Sequence, residues 1–119
     1  MQRNGHILVV ETDDLIRELL ERWLGEAGYS VVAASRGTLG GEGAPRLVIV
    51  DVASPREAGA LIRSLQAAHA APILALSARF RRGLGASADA ARELGVRKVL
   101  PKPFTRGELL AAVREAFEG

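Results

Sequence analysis

The sequence predicts an α/β protein with one doubly wound parallel sheet, and three observations lead to that fold class. Short runs of branched aliphatic residues alternate along the chain with segments that repeat apolar residues at helical spacing. Residues 47–51 read Leu-Val-Ile-Val-Asp, a run without polar alternation that is typical of a strand buried on both faces. Parallel strands need crossover connections, and the helical segments supply them. The length of 119 residues fits one domain, which we expect to span residues 1–119.

Five strands and four helices are predicted in chain order. The strands cover residues 6–10, 30–34, 47–51, 73–76 (ending in Ser77) and 96–100. The helices cover about residues 15–25, 55–68 and 87–94, and a last helix starts at Thr105. Residues 36–45 contain four glycines, each of which costs about 1 kcal/mol in a helix interior. We therefore predict at most one helical turn between the second and third strands.

Both terminal helices carry recognisable start signals. The first has an apolar face at helical spacing, made of Leu15, Ile16, Leu19, Leu20, Trp23 and Leu24. Thr12, Asp13 or Asp14 can cap its N-terminus, where carboxylates also suit the helix dipole. In the last helix, Thr105 and Glu108 have the spacing of a capping box.

Composition excludes several classes of protein. The absence of cysteine excludes disulfides, cysteine nucleophiles and thiolate metal sites. No apolar run approaches the roughly 20 residues of a membrane span. The N-terminal residues do not resemble a signal peptide, so we expect a cytoplasmic protein without membrane contact. The net charge of +2 is small and rests on dispersed arginines, so we expect this domain to bind no nucleic acid.

Residues able to do chemistry follow the predicted strands. Asp51 ends the third strand, Ser77 ends the fourth and Lys102 follows the fifth, while acidic residues follow the first, between positions 11 and 14. The carboxyl ends of parallel strands share the sheet edge at which ligands bind. A nucleophilic carboxylate, acids that can hold Mg²⁺, and Lys and Ser groups for phosphoryl oxygens together suit phosphoryl transfer. Each residue alone would be interpreted as a solvated strand end, but four at one edge favour a site.

One enzymatic alternative is disfavoured by a single residue. Phosphatases of the haloacid dehalogenase type also use a strand-end Asp, but they need a second Asp two residues later as general acid. Ala53 occupies that position. We therefore predict that the chain is not an enzyme.

The same residues resemble the receiver domain of bacterial response regulators over essentially the whole chain. The resemblance rests on the acidic segment after the first strand, on the spacing of Asp51, Pro55 and Gly59, and on Lys-Pro-Phe-Thr at 102–105. It implies a flavodoxin-like sheet of order 2-1-3-4-5 with helices on both faces. It also implies a phosphoprotein of a two-component phosphorelay, which receives a phosphoryl group from a sensor histidine kinase or phosphotransfer protein.

The resemblance assigns roles to individual positions. Asp51 would accept the phosphoryl group, Ser77 would be the hydroxyl that follows it, and Lys102 would be the ammonium of the site. The Lys102–Pro103 bond would be a candidate for the cis form, which X–Pro bonds tolerate in tight turns. A downstream effector domain or protein, and a second copy in a homodimer, are the further partners that the resemblance allows.

A magnesium site is implied in an altered form. Mg²⁺ would be held by Glu11, Asp51 and the backbone carbonyl of Ala53, with Thr12 or Asp13 as a further ligand. The family usually has an acidic pair after its first strand, and the second member ligates the metal directly. Here that second position is Thr12, a neutral hydroxyl. We therefore predict weakened Mg²⁺ binding.

Two hypotheses about function follow. In the first, phosphorylation of Asp51 switches a partner-binding surface. In the second, the chain is a phosphorylation-independent pseudo-receiver that acts as a protein-interaction module. Thr12 favours the second, as does Val99, which stands where the family commonly has an aromatic residue. Asp51, Ser77 and Lys102 favour the first, which we prefer.

Overall fold

The computed structural model of the chain describes residues 6–11, 13–34, 45–52, 55–77, 91–92 and 95–118. Its strands are β1 (Ile7–Val10), β2 (Val31–Ala34), β3 (Leu47–Asp51), β4 (Ile73–Ser77) and β5 (Lys98–Pro101). Its helices are α1 (Asp14–Glu26), α2 (Pro55–Ala68) and α3 (Arg106–Glu118).

The strands form one parallel sheet of order β2-β1-β3-β4-β5, which confirms the predicted fold class. β1, β3 and β4 lie in the interior of the sheet, where both faces need apolar cover. The register pairs Asp51 of β3 with Leu76 of β4, and Ser77 of β4 with Pro101 of β5. The ends of β3, β4 and β5 are therefore level with one another at the carboxyl edge.

The element bounds agree closely with the sequence predictions. The third strand and the second helix match residue for residue, and the other strands differ by one or two residues at their ends. Ala91 and Arg92 are helical, and Gly95 has a φ of 77°, as a helix end at that glycine requires. The predictions for residues 36–44 and for the start of the helix at 87 lie outside the described residues. No helix in the described part of the chain is both long enough and apolar enough to cross a bilayer.

The core lies on both faces of the sheet because successive strand residues point in opposite directions. Leu8 and Val10 of β1 pack with α2, in a cluster that includes Ile62 and Leu65. Strand residues that point to the other face form a second cluster with side chains of α1 and α3. Its buried members are Ile7, Val9, Leu20, Leu24, Leu47, Ile49, Leu74, Leu76, Leu100, Leu109, Ala112, Val113 and Ala116. Each fully buried aliphatic side chain contributes about 1.5 to 3 kcal/mol of transfer free energy.

The predicted apolar face of α1 is wider than the face that is buried. Leu20 and Leu24 are fully buried, but Leu15 is 74% exposed and Leu19 is 37% exposed. A single helix covers the sheet along a narrow stripe, so apolar residues at the flank of a broad stripe remain in solvent. Leu15 therefore belongs to the apolar face of α1 but not to its buried part.

Side chains cap both terminal helices. Asp13, one of three predicted candidates, is the N-cap of α1, and its Oδ1 accepts the Ile16 N–H at 3.1 Å. At α3 the predicted capping box is present in both directions. The Thr105 N–H donates to Glu108 Oε1 at 2.9 Å, and the Glu108 N–H donates to Thr105 Oγ1 at 3.1 Å. Each cap fixes where its helix starts relative to the strand end before it.

Candidate functional site

Asp51 and Lys102 are in direct contact at the carboxyl edge of the sheet. Asp51 is the last residue of β3, and Lys102 follows β5 immediately. The Lys102 Nζ donates a hydrogen bond to Asp51 Oδ1. The side chains are 21% and 22% exposed, so the pair is largely shielded but open to solvent on one side. A carboxylate in this position can be reached by a ligand while it is held by an ammonium.

The connection after β5 fixes the position of Lys102. Its backbone N–H donates to the Ser77 carbonyl at 2.9 Å, which continues the pairing of β4 with β5 by one residue. The bond between Lys102 and Pro103 is cis, as predicted. Next to it, Phe104 packs edge-on against Trp23 of α1, with ring centroids 6.4 Å apart. The lysine therefore lies on a segment that is tied to both β4 and α1.

Glu11 brings a second carboxylate to Asp51 and Lys102. It follows β1 and is 3% exposed. Its Oε2 accepts the Asp13 N–H at 3.0 Å. Its Oε1 lies 3.6 Å from Lys102 Nζ, beyond hydrogen-bonding distance, and has no hydrogen-bond partner among the described residues. A buried carboxylate oxygen in that state is a ready acceptor for a further cation or proton donor.

Burial and neighbouring charges shift the pKa values of Glu11 and Lys102. Burial raises the pKa of Glu11 above its ordinary value, and the nearby charge of Asp51 adds to the rise, against the opposing effects of the Asp13 N–H and of Lys102. Burial acts to lower the pKa of Lys102. The hydrogen bond to Asp51, together with the charges of Asp51 and Glu11, outweighs that effect and raises the pKa of Lys102. The lysine is therefore a cation at neutral pH.

The other predicted site residues lie in different environments. Ser77 is fully buried at the end of β4, level with the end of β5. Asp13 is exposed and caps α1, and Asp14 pairs with Arg17 at 2.6 Å. Asp14, another of the three candidate caps, is instead the first residue of α1 and makes that contact within the first turn. Thr12 and Ala53 lie outside the described residues.

Sequence reasoning missed Arg17 at this edge. Its Nη2 donates to Asp14 Oδ1, and its Nη1 donates to the backbone carbonyl of Glu11 at 3.3 Å. The spacing of three residues between Asp14 and Arg17 on a helix predicts the first contact. The second depends on how α1 sits against the end of β1, which no local pattern encodes.

Fold and site together define a doubly wound α/β domain with two carboxylates and a lysine at its ligand-binding edge. The model of the response regulator receiver domain family matches residues 7–114. The chain belongs to that family and is a receiver domain of two-component signal transduction. Receiver domains are in general signalling modules rather than enzymes, and they interact with histidine kinases and effector domains. These comparisons do not favour the phosphorylation-independent alternative.

Curated relatives support the assignment at moderate identity. The transcriptional regulatory protein GltR of Pseudomonas aeruginosa is 41% identical over 128 residues, which cover 96% of this chain and 50% of that protein. The response regulator MprA of a Mycobacterium species is 40% identical over 119 residues, covering 91% of this chain and 48% of the relative. The chain thus spans about half the length of these relatives.

Solved structures agree with the fold. NtrX from Brucella abortus matches with a TM-score of 0.76 and 26% identity, covering 98% of this chain and 26% of that chain. The signal receiver domain of an HD domain-containing protein from Pseudomonas fluorescens Pf-5 matches with a TM-score of 0.71 and 26% identity, covering 98% and 96%.

Receiver domains in general bind Mg²⁺ at this edge, and the donors of this chain fit a hard cation. Glu11 Oε1 is buried and has no hydrogen-bond partner among the described residues. The half-buried carboxylate of Asp51 contacts the same Lys102 ammonium that Glu11 Oε1 faces, so the two carboxylates lie beside one cation. Carboxylate oxygens are the ligands that Mg²⁺ prefers. No cluster of three or more acidic, histidine or cysteine side chains forms within the described residues.

Proposed function

We propose that Asp51 is the residue that accepts the phosphoryl group. The contact between Asp51 and Lys102 at the open carboxyl edge carries this proposal. Asp51 combines partial exposure, which a nucleophile needs, with an adjacent ammonium that can neutralise incoming phosphoryl charge. Glu11 is too deeply buried to meet a donor from solvent.

The proposed phosphoryl transfer to Asp51 requires no proton transfer at that carboxylate. A carboxylate oxygen of Asp51 attacks the phosphorus of the donor, and an oxygen–phosphorus bond forms. The bond between phosphorus and the leaving group breaks, and its electron pair departs with that group, the imidazole of a phosphohistidine or the carboxylate of a small acyl phosphate. The product is an acyl phosphate on Asp51. Because its pKa is raised, Lys102 stays protonated and can pair with the new phosphoryl oxygens.

Ser77 and the metal ligands complete the proposed site. The Ser77 hydroxyl is proposed to donate to a phosphoryl oxygen from the end of β4. Mg²⁺ is proposed to bind Glu11, Asp51 and the backbone carbonyl of Ala53, and when bound it neutralises charge on the phosphoryl oxygens. Asp13 is engaged as the cap of α1, so the remaining ligand position falls to Thr12.

We propose that the Mg²⁺ site is weaker than one with two acids after β1. Affinity of hard-cation sites rises with the number of charged ligands, and Thr12 supplies none. The replacement Thr12→Asp is expected to lower the Mg²⁺ concentration at half-maximal thermal stabilisation by roughly tenfold. An unchanged or higher Mg²⁺ requirement in that variant would contradict the weakened-site proposal.

The experiment for the function is intact mass after incubation with acetyl phosphate, with and without Mg²⁺. We expect a gain of one phosphoryl group that depends on Mg²⁺ and is absent in Asp51→Asn. A gain that persists in Asp51→Asn would assign the acceptor elsewhere. No gain at any Mg²⁺ concentration, with the protein folded, would reject the switch for this donor and favour a constitutive interaction module.

The proposed partners follow from the family and the site. A sensor histidine kinase or phosphotransfer protein would supply the phosphoryl group, and an effector, attached or separate, would receive the signal. A homodimer is the third proposed partner. We propose a cytoplasmic location and no nucleic-acid contact by this domain, whose net charge is only +2.

A further inference from the structure

The Arg17 side chain contacts both ends of the loop between β1 and α1, on either side of position 12. Its Nη1 donates to the Glu11 carbonyl at 3.3 Å, and its Nη2 donates to Asp14 Oδ1 at 2.6 Å. The backbone of Arg17 is itself fixed, because its N–H donates to the Asp13 carbonyl at 2.9 Å in the first turn of α1. The guanidinium therefore ties the last residue before the loop to the first turn of the helix.

This contact bears directly on the orientation of the Glu11 carboxylate. The Glu11 side chain is held at one oxygen only, by the Asp13 N–H, while its other oxygen lies in the site near Lys102. The direction of that side chain thus depends on the backbone at Glu11 and on the helix cap at Asp13. The Arg17 side chain holds the backbone of Glu11 through its carbonyl, and the Arg17 N–H contacts the carbonyl of the cap residue Asp13.

The charges around the loop also favour a cation at position 17. Three carboxylates, at Glu11, Asp13 and Asp14, lie within four residues and repel one another. Lys102 faces Glu11 from the site, and Arg17 faces Asp14 from the helix. The side chain of Arg17 is 31% exposed, so its charge is only partly screened by water. Its planar fork reaches two acceptors in fixed geometry, which a lysine at the same position cannot do.

We propose that Arg17 is a positioning residue for metal binding: it fixes the β1–α1 loop so that Glu11 Oε1 faces Asp51 and Lys102. The inference rests on the proposed function of the site, since it assigns Mg²⁺ to Glu11 and Asp51. Arg17 touches neither the reacting atoms nor the metal. Its loss changes the Mg²⁺ requirement and leaves the chemistry at saturating Mg²⁺ intact.

The test compares Arg17→Ala, Arg17→Lys and a matched control, Arg22→Ala. Arg22 is an exposed arginine on the same helix, so its removal reproduces the loss of charge and the change in helix propensity. The first readout is the Mg²⁺-dependent rise in Tm above the value in EDTA, titrated for each variant. It does not require phosphorylation, and each variant's own EDTA baseline separates fold stability from metal binding.

We expect Arg17→Ala to raise the half-saturating Mg²⁺ concentration about tenfold, as loss of a group that orients a metal ligand does. Arg17→Lys is expected to give a smaller rise, and Arg22→Ala none. The second readout is the rate of phosphorylation by acetyl phosphate. The maximal rate at saturating Mg²⁺ should stay within about twofold, because Arg17 acts through Glu11 rather than on the phosphoryl group.

Three results would overturn the proposal. One is an unchanged Mg²⁺ titration in Arg17→Ala. Another is a raised requirement for acetyl phosphate with no change for Mg²⁺, which would make Arg17 a donor contact. The third is the absence of any Mg²⁺-dependent stabilisation of the wild type. A wild type that Mg²⁺ stabilises but acetyl phosphate does not modify would instead reject the proposed phosphoacceptor function, and the Tm titration would still decide the role of Arg17.

Discussion

The middle of the sheet and its carboxyl edge are formed by the same strands but differ in the chemistry of their side chains. In the middle, β1, β3 and β4 present aliphatic side chains to both faces, and these side chains are almost entirely buried. At the edge, the chain turns from aliphatic to charged within one residue, as where Val50 is followed by Asp51. There a buried carboxylate oxygen of Glu11 has no hydrogen-bond partner among the described residues. The middle of the sheet stabilises the fold, and the carboxyl edge carries excess negative charge that can bind a cation.

The largest expected effect belongs to the middle of the sheet. Ile49 of β3 is fully buried in the cluster under α1 and α3, so Ile49→Ala removes packed volume that its neighbours cannot refill. We expect a loss of about 3 kcal/mol in the free energy of unfolding, measured by urea denaturation. The control is Val32→Ala on the edge strand β2, where the side chain is 40% exposed and the expected loss is below about 1 kcal/mol. Equal losses at the two positions would contradict the picture of a sheet stabilised at its centre.

The second-largest expected effect is the loss of stability on removing Lys102, the cation at the carboxyl edge. Lys102→Met leaves the carboxylates of Asp51 and Glu11 facing each other, and we expect a loss of about 2 kcal/mol at pH 7 in the absence of Mg²⁺. Lys98→Met is the control, since Lys98 pairs with the exposed Glu115 and such pairs are worth less than about 1 kcal/mol.

The pH dependence of that loss follows from the raised pKa of Lys102. A raised pKa means that the folded protein holds the lysine proton more tightly than the unfolded chain does. The stabilisation is therefore fully present below the unfolded value of 10.5 and is lost as the pH rises through the folded value. The difference between wild type and Lys102→Met should be constant between pH 7 and 9. A marked decrease within that range would show that the lysine proton is not held as proposed.

The third and smallest effect has the opposite sign. Glu11→Gln removes a buried charge next to Asp51, and we expect it to stabilise the metal-free protein by about 1 kcal/mol at pH 7. Because folding raises the pKa of Glu11, the folded state binds its proton more readily than the unfolded chain does. Ionisation therefore costs stability as the pH rises from the ordinary value of 4.5 through the folded value. The advantage of Glu11→Gln should vanish below about pH 4.5.

The same variant separates stability from function at the edge. Glu11→Gln is expected to lose most of the Mg²⁺-dependent rise in Tm, because the neutral amide is a poor ligand for a hard cation. The exposed Glu21→Gln serves as the control and should change neither quantity. If Glu11→Gln were destabilising without Mg²⁺ and kept the full Mg²⁺ response, the edge would not be a site of stored negative charge.

Much of this protein was predictable from local sequence. The bounds of β3 and α2 and the capping box at Thr105 follow from patterns of a few residues, whereas the cis bond before Pro103 was implied by the family resemblance. Strand alternation and crossover geometry then place the strand ends at one edge, where Asp51 and Lys102 were both expected and where they meet. Such features are predictable because the backbone preferences that create them act over one turn or one strand.

What only the tertiary structure decided is which side chains are buried and which partners they meet. The periodicity of α1 could not distinguish Leu15, which is exposed, from Leu20, which is buried, because exposure depends on how far the sheet extends beneath the helix. Asp13 rather than its neighbours became the cap, the Glu11 carboxylate was enclosed with one oxygen lacking a hydrogen bond among the described residues, and Arg17 reached the carbonyl of Glu11. The residue types were set by the sequence. Their roles were set by the packing of α1 against the end of β1, since burial and charge interactions depend on distances that a linear pattern does not contain.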